Sequence, residues 1–263
     1  MAFSSATGHQ ASTTLHTGAD GLVQGDFRLP TKAGEIDAYF ARPEGAENPP
    51  IVLVVQEIFG LHEHIRDVVR RVAKLGYFAV AANLYERQGD ASRYTDIAVL
   101  VADIVSKVPD EQVHADLDAC VAWAGKQGGD VTRVGVTGFC WGGRLTWMYA
   151  EHNPSVRAGV AWYGRLTSGH GPLIKRNPVD VAGRLKAPVL GLYGALDKSI
   201  PQEDVERMRA ALAAGNAQAQ TSDIVVYPQA DHAFYADYRA SYRAVDAKDG
   251  WSRLTAWFAR YLA

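Results

Sequence analysis

The stretch Val134-Gly-Val-Thr-Gly-Phe-Cys140-Trp-Gly-Gly-Arg144 limits the fold more than any other part of this chain. A short apolar, β-branched run stops at Gly138, and a helix-like segment begins just past Cys140. The small residues Gly138, Gly142 and Gly143 let the backbone turn sharply without Cβ clashes. Strand, tight turn and helix in this order make a nucleophile elbow, with cysteine where serine is commoner. Such a turn exposes the sulfur at the end of a buried strand and sets it at a helix N-terminus. The backbone N–H groups and the helix dipole there favour negative charge on the sulfur and on an oxyanion beside it.

The flanking sequence has the alternation that such an elbow needs. The apolar run Ile51–Val55 predicts a strand covered on both faces and Phe78–Ala82 a second buried one, and further strands are predicted at Val134–Thr137, Ala158–Trp162, Val189–Tyr193 and Ile224–Tyr227. Helical spacing of Ile65, Val68, Val69, Val72 and Leu75, closed by Gly76, predicts a helix after the first of them. Further helices are predicted at about Thr95–Lys107, Asp110–Gly125, Gly142–His152, Gln202–Ala214 and Lys248–Tyr261. The last carries Trp251, Leu254, Trp257, Phe258 and Tyr261 on one broad face, the mark of a core-packed helix. Alternating segments at Asp26–Leu29 and Glu35–Phe40, with a turn at Thr31–Gly34, predict an antiparallel pair at a sheet edge. The fold class is therefore α/β, a mostly parallel sheet with helices on both faces. Residues 25–263 read as one domain and residues 1–24 as a loosely ordered arm.

Composition removes several classes of function. A net charge of -2 gives no reason to expect nucleic acid or an anionic membrane as partner. No run approaches the ~18 consecutive apolar residues of a membrane span, and Met1 to Asp20 lack the basic and apolar regions of a secretory signal. Two cysteines, Cys120 and Cys140, are too few for a disulfide framework and read as free thiols in a reducing, cytoplasmic setting. His62 and His64 flank Glu63, but spacing i, i+2 does not share a helix face, so no metal site is expected.

A free cysteine is mostly protonated at neutral pH and needs a base, which in turn needs an orienting acid. In parallel α/β sheets such groups sit on loops at the C-terminal ends of strands. Among eight histidines, His232 follows a late strand closely, in Tyr227-Pro-Gln-Ala-Asp-His232. Asp197 has the matching place a few residues past Val189–Tyr193. The order Cys140, Asp197, His232 is the nucleophile–acid–base order of α/β-hydrolases.

These residues, together with Gln56-Glu57-Ile58-Phe59-Gly60 and Asn83-Leu-Tyr-Glu-Arg87, resemble the dienelactone hydrolases (carboxymethylenebutenolidases), α/β-hydrolases with a cysteine nucleophile. The resemblance runs from about Gly25 to the C-terminus. It implies Cys140 as nucleophile, His232 as base and Asp197 as its orienting acid. Glu57 would contact the resting thiol, keep it protonated and shielded from oxidation, and help to form the thiolate once substrate binds. The backbone N–H groups of Ile58 and Trp141 would form the oxyanion hole. Arg87 would bind a substrate carboxylate through its forked donors, and Tyr163 would line the pocket. The family's second carboxylate-binding arginine falls at Ala236 here, with Arg239 close by as a replacement.

The expected activity is opening of a small lactone or ester through an acyl-thioester, by a monomer or small homo-oligomer with no cofactor. Two alternatives stay open: the same machinery on a different, even uncharged, ester, and a silent hydrolase fold that binds a small ligand.

Overall fold

A computed structural model describes residues 10–263, and among them eight strands form one sheet in the order β1-β2-β4-β3-β5-β6-β7-β8. β1 (Leu22–Thr31) and β2 (Gly34–Pro43) form an antiparallel hairpin at one edge, paired from Leu22 with Pro43 to Thr31 with Gly34. β2 runs antiparallel to β4 (Phe78–Ala82). From β4 onward the neighbours are parallel: β3 (Pro50–Val55), β5 (Asp130–Phe139), β6 (Val156–Trp162), β7 (Val189–Gly194) and β8 (Asp223–Tyr227). Burial on both faces explains why β3 and β4 read as continuous apolar runs.

Helices α1 (Glu63–Ala73) and α8 (Ala244–Tyr261) cover one face, while α3 (Asp110–Lys126) and α4 (Trp141–His152) cover the other. Trp123 of α3 stacks on Phe27 and meets Phe40 and Phe78 edge-on, closing the second face over the hairpin. α6 (Gln202–Ala213) packs beside β8, with the short helices α5 (Pro178–Val181) and α7 (Ala217–Thr221) around it. The segment expected to be one helix over 95–107 is α2 (Ile97–Asp103), capped by Asp96, followed by a separate 3-10 turn at Val105–Lys107. In α8, Leu254 and Phe258 are buried and Trp251, Trp257 and Tyr261 half-buried, as the stripe predicted. Cys120 is buried on α3, where burial pushes its thiol well above its usual range.

The N-terminal boundary moves. β1 begins at Leu22, so residues 22–24 are sheet rather than arm. Residues 1–9 of the expected loose arm lie outside the described residues. The segment from Gln10 onward is tied down. Gln10 N–H donates to the Tyr238 carbonyl (2.8 Å), and the Thr13 hydroxyl to that of Asp237 (2.5 Å). Thr17 donates twice to the Asp67 carboxylate, and Arg70 Nε bonds the Thr17 carbonyl. Among the described residues, no helix is long and apolar enough to cross a membrane.

Candidate active site

Five of the six parallel strands deliver a side chain to the same edge of the sheet. Glu57 follows β3, Cys140 follows β5, Tyr163 follows β6, Asp197 follows β7 and His232 follows β8. All five line one cavity of about 760 Å³.

Cys140 caps α4 with φ 56 and ψ -113, a conformation that costs a non-glycine residue on the order of 1–3 kcal/mol. Its N–H is held by the Trp162 carbonyl (3.0 Å), and its own carbonyl accepts from Arg144 N–H (3.2 Å). The three glycines avoid Cβ clashes, as expected, at points of close approach. A Cβ on Gly138 would sit 2.2 Å from the Gly142 oxygen, one on Gly142 2.4 Å from the Val55 oxygen, and one on Gly143 2.3 Å from the Trp162 oxygen. They let α4 press against β3, β5 and β6, and that contact locks the strained residue in place. Trp141 opens α4, so its N–H has no intrahelical acceptor. With Ile58 it borders the cavity beside Cys140.

His232 Nδ1 lies 2.6 Å from Asp197 Oδ2. The other carboxylate oxygen takes the Ser199 N–H (2.8 Å) and hydroxyl (2.6 Å), so the acid cannot turn away from the ring. Burial pushes the Asp197 carboxyl up, but the bonds to His232 and Ser199 outweigh it and hold it below its usual value. For His232, burial disfavours the charged ring, yet the charge of Cys140 and the bonds to Asp197 and Cys140 prevail and push it up to about 10. Tyr163 is wholly buried at φ 38, its ring edge-on to His232 (centroids 5.3 Å) and its hydroxyl without a partner among the described residues.

Glu57 departs from expectation. Among the described residues no hydrogen bond joins it to Cys140; its Oε2 accepts from Tyr238 Oη (2.7 Å) and from His62 Nε2 (3.2 Å). Burial alone pushes this carboxyl up, but the His62 bond and the charges of His62, His64 and Arg239 hold it down at about 2. His62 and His64, discounted in sequence as metal ligands, lie against Glu57 (3.2 Å) and Asp237 (3.3 Å).

The expected cations separate. Arg87 does not line the cavity: its fork is closed on Asp116 (2.7 and 2.9 Å) and Thr31 (2.7 Å). Arg239 does line it, its guanidinium over the Phe59 ring at 5.6 Å. Ala236 is fully buried. Arg165, which sequence reasoning missed, also borders the cavity, and neither it nor Arg239 forms an ion pair among the described residues. Arg144 is bound to Asp110 by two 2.8 Å bonds. His170 is pushed down to about 4 by burial and by Arg165, Arg144 and His232, and stays neutral.

Sheet order, elbow and strand-end residues define an α/β-hydrolase fold. The profile of the dienelactone hydrolase family matches residues 36–262. A protein of Methylorubrum extorquens named "Putative carboxymethylenebutenolidase" is 58% identical over 252 residues, covering 95% of this chain and 86% of its own. One of Escherichia coli with the same name is 53% identical, covering 98% and 95%. A crystal structure titled "Putative Dienelactone Hydrolase" from Klebsiella pneumoniae superposes with a TM-score of 0.87 at 57% identity, over 92% of this chain and all of that one. The chain belongs to the dienelactone hydrolase family, and it is a hydrolase of esters or lactones.

Proposed function

We propose that Cys140 is the nucleophile and that hydrolysis runs through a thioester on its sulfur. The observation that carries this reading is the meeting of Cys140, His232 and the Asp197 carboxylate at one cavity, with the imidazole tied to the acid through Nδ1. The sulfur attacks the carbonyl carbon, and the oxygen that becomes negative takes the N–H groups of Ile58 and Trp141. The ester C–O bond then breaks, and the leaving alkoxide takes the proton held on His232. In a lactone that alkoxide stays attached to the acyl group. His232, now neutral, removes a proton from water, the hydroxide attacks the thioester, and the thiolate and imidazolium are restored.

The preferred substrate is a small lactone or ester that carries a carboxylate. Arg239 and Arg165 bring to the cavity guanidinium groups that form no ion pair among the described residues, whereas Glu57 and Asp197 accept from protein donors. The arginine pair therefore takes the part that Arg87, closed on Asp116, does not. A second reading, an uncharged ester, is favoured by the apolar wall of Ile97, Ala98 and Val101 on α2. A nucleophilic thiol suits a reducing, cytoplasmic setting.

The test is turnover of a chromogenic ester, with mass spectrometry of the quenched enzyme. A burst and an acyl adduct on Cys140, both absent from Cys140→Ala, are expected. Undiminished turnover in Cys140→Ala would overturn the reading.

A further inference from the structure

Helix α2 breaks the rule by which a surface helix turns one apolar stripe to the core and polar residues to water. Its first six residues, Ile97-Ala-Val-Leu-Val-Ala102, are all apolar, yet Leu100 alone among them is buried. Leu100 and Ile104, one helical turn apart, are both 0% exposed and root the segment in the core. Ile97 and Val101, also one turn apart, lie on the strip beside them, and with Ala98 they border the cavity that holds Cys140. Ile97 is 41% exposed there. Leu100 and Ile104 suffice to seat the helix, so an apolar strip left open at the reacting sulfur is the kind of local departure that marks a functional surface.

The cavity is also larger than a small lactone needs. At about 760 Å³ it lies in the range that encloses a drug-sized ligand. We propose that α2 is the wall for a hydrocarbon arm of the substrate, so that the preferred ester or lactone carries a chain or ring of several carbons beyond its reacting carbonyl. Ile97, Ala98 and Val101 are the residues that set this preference. It rests on the reading of this cavity as the hydrolytic site and adds the apolar part of the substrate to it. Arg239 and Arg165 border the same cavity, and together with the wall they describe an amphiphilic ester, polar at one end and hydrocarbon at the other.

The wall is fixed at both ends, which limits the ordering that binding must bring about. At its start the Asp96 carboxylate accepts the N–H groups of Ala98 (2.7 Å) and Val99 (3.1 Å). Past its end, Gly171 at φ 104 comes so close to Ser106 that a Cβ there would lie 2.5 Å from the Ser106 Cβ. This contact seats the loop that carries His170 on the turn after α2, and both segments line the cavity.

The experiment measures kcat/KM for two series of esters, p-nitrophenyl alkanoates from acetate to hexanoate and alkyl acetates from methyl to hexyl. The first lengthens the acyl side and the second the alcohol side. In at least one series each added CH2 should raise kcat/KM about twofold to fourfold, the upper figure corresponding to full burial. Ile97→Asn and Val101→Thr should each cut the ratio of longest to shortest substrate about threefold or more. Val101→Thr keeps the side-chain shape and adds only a hydroxyl, so its effect is not a loss of fold. Val99→Asn alters a residue of α2 that is 48% exposed but does not line the cavity, and it should keep the wild-type ratio. Flat profiles in both wild-type series, a gradient unchanged in both Ile97→Asn and Val101→Thr, or an equal loss in Val99→Asn would overturn the wall while the hydrolytic site stands. Undiminished turnover in Cys140→Ala would instead remove the reading of the cavity, and the wall with it.

Discussion

Asp197 Oδ2 stands 2.6 Å from His232 Nδ1, and this one contact decides which nitrogen of the ring is left for the sulfur. With Nδ1 bound to the acid and the acid's second oxygen fixed by Ser199, Nε2 is the nitrogen that can exchange a proton with Cys140 or with water.

Asp197→Asn keeps the shape but loses the charge and the single acceptor role, so the ring is no longer held in one tautomer. Turnover should fall about 10³-fold or more with little change in melting temperature. Ser199→Ala frees only Oδ1 and should cost about threefold to tenfold. Steady-state kinetics on one ester compares the two.

His232 is pushed up to about 10 largely by the charge of Cys140 against the opposing effect of burial. Cys140→Ala removes that charge, so the ring should titrate at clearly lower pH, visible in its Cε1–H resonance. The sign extends to stability. A raised folded pKa adds stability that is fully present below the unfolded value of about 6.5 and lost as pH rises through about 10. Wild type should therefore lose stability across that window relative to Cys140→Ala. Identical titrations in the two proteins would remove the ion pair.

Arg239→Gln should raise KM for a carboxylate-bearing lactone about tenfold to a hundredfold and leave its methyl ester unaffected. Arg87→Ala should not discriminate the two. Its loss strands Asp116, whose side chain is only 3% exposed, and should appear as about 1–3 kcal/mol of lost stability in denaturant titrations.

Removing residues 1–17 takes away the bonds of Gln10 and Thr13 to the Tyr238 and Asp237 carbonyls and of Thr17 to Asp67. Melting temperature should fall by several degrees, measured by differential scanning calorimetry. An unchanged melting temperature would show that these bonds add nothing to stability.

Gly142→Ala should destabilise by about 3 kcal/mol or more, because its Cβ would meet the Val55 and Gln56 oxygens at 2.4 and 2.5 Å, where no side chain can yield. The elbow cannot be relaxed without moving α4.

What was legible in the sequence was what local pattern encodes. The elbow, the strand ends and the order of Cys140, Asp197 and His232 follow from apolar runs, glycines and loop positions, and the fold came with them. The grip on Glu57 was not legible, because Tyr238 is 181 residues away and His62 gains its meaning only when α1 starts beside β3. Arg87 stood in the right motif but faces Asp116 of α3, a partner that no local pattern names. Arg165 lay two residues past Tyr163 with no signal beyond its place at a strand end. Ser199, two residues after Asp197, could have been found as an Asx turn.

The burial of Cys120 gives the enzyme an intrinsic counter. Of its two free thiols, one is sealed inside α3 packing and the other opens on the cavity. A thiol reagent applied to the folded protein therefore reports on one sulfur per chain. The stoichiometry of its fast phase gives the fraction of molecules with a competent site, so specific activities of different preparations can be normalised without knowing the natural substrate.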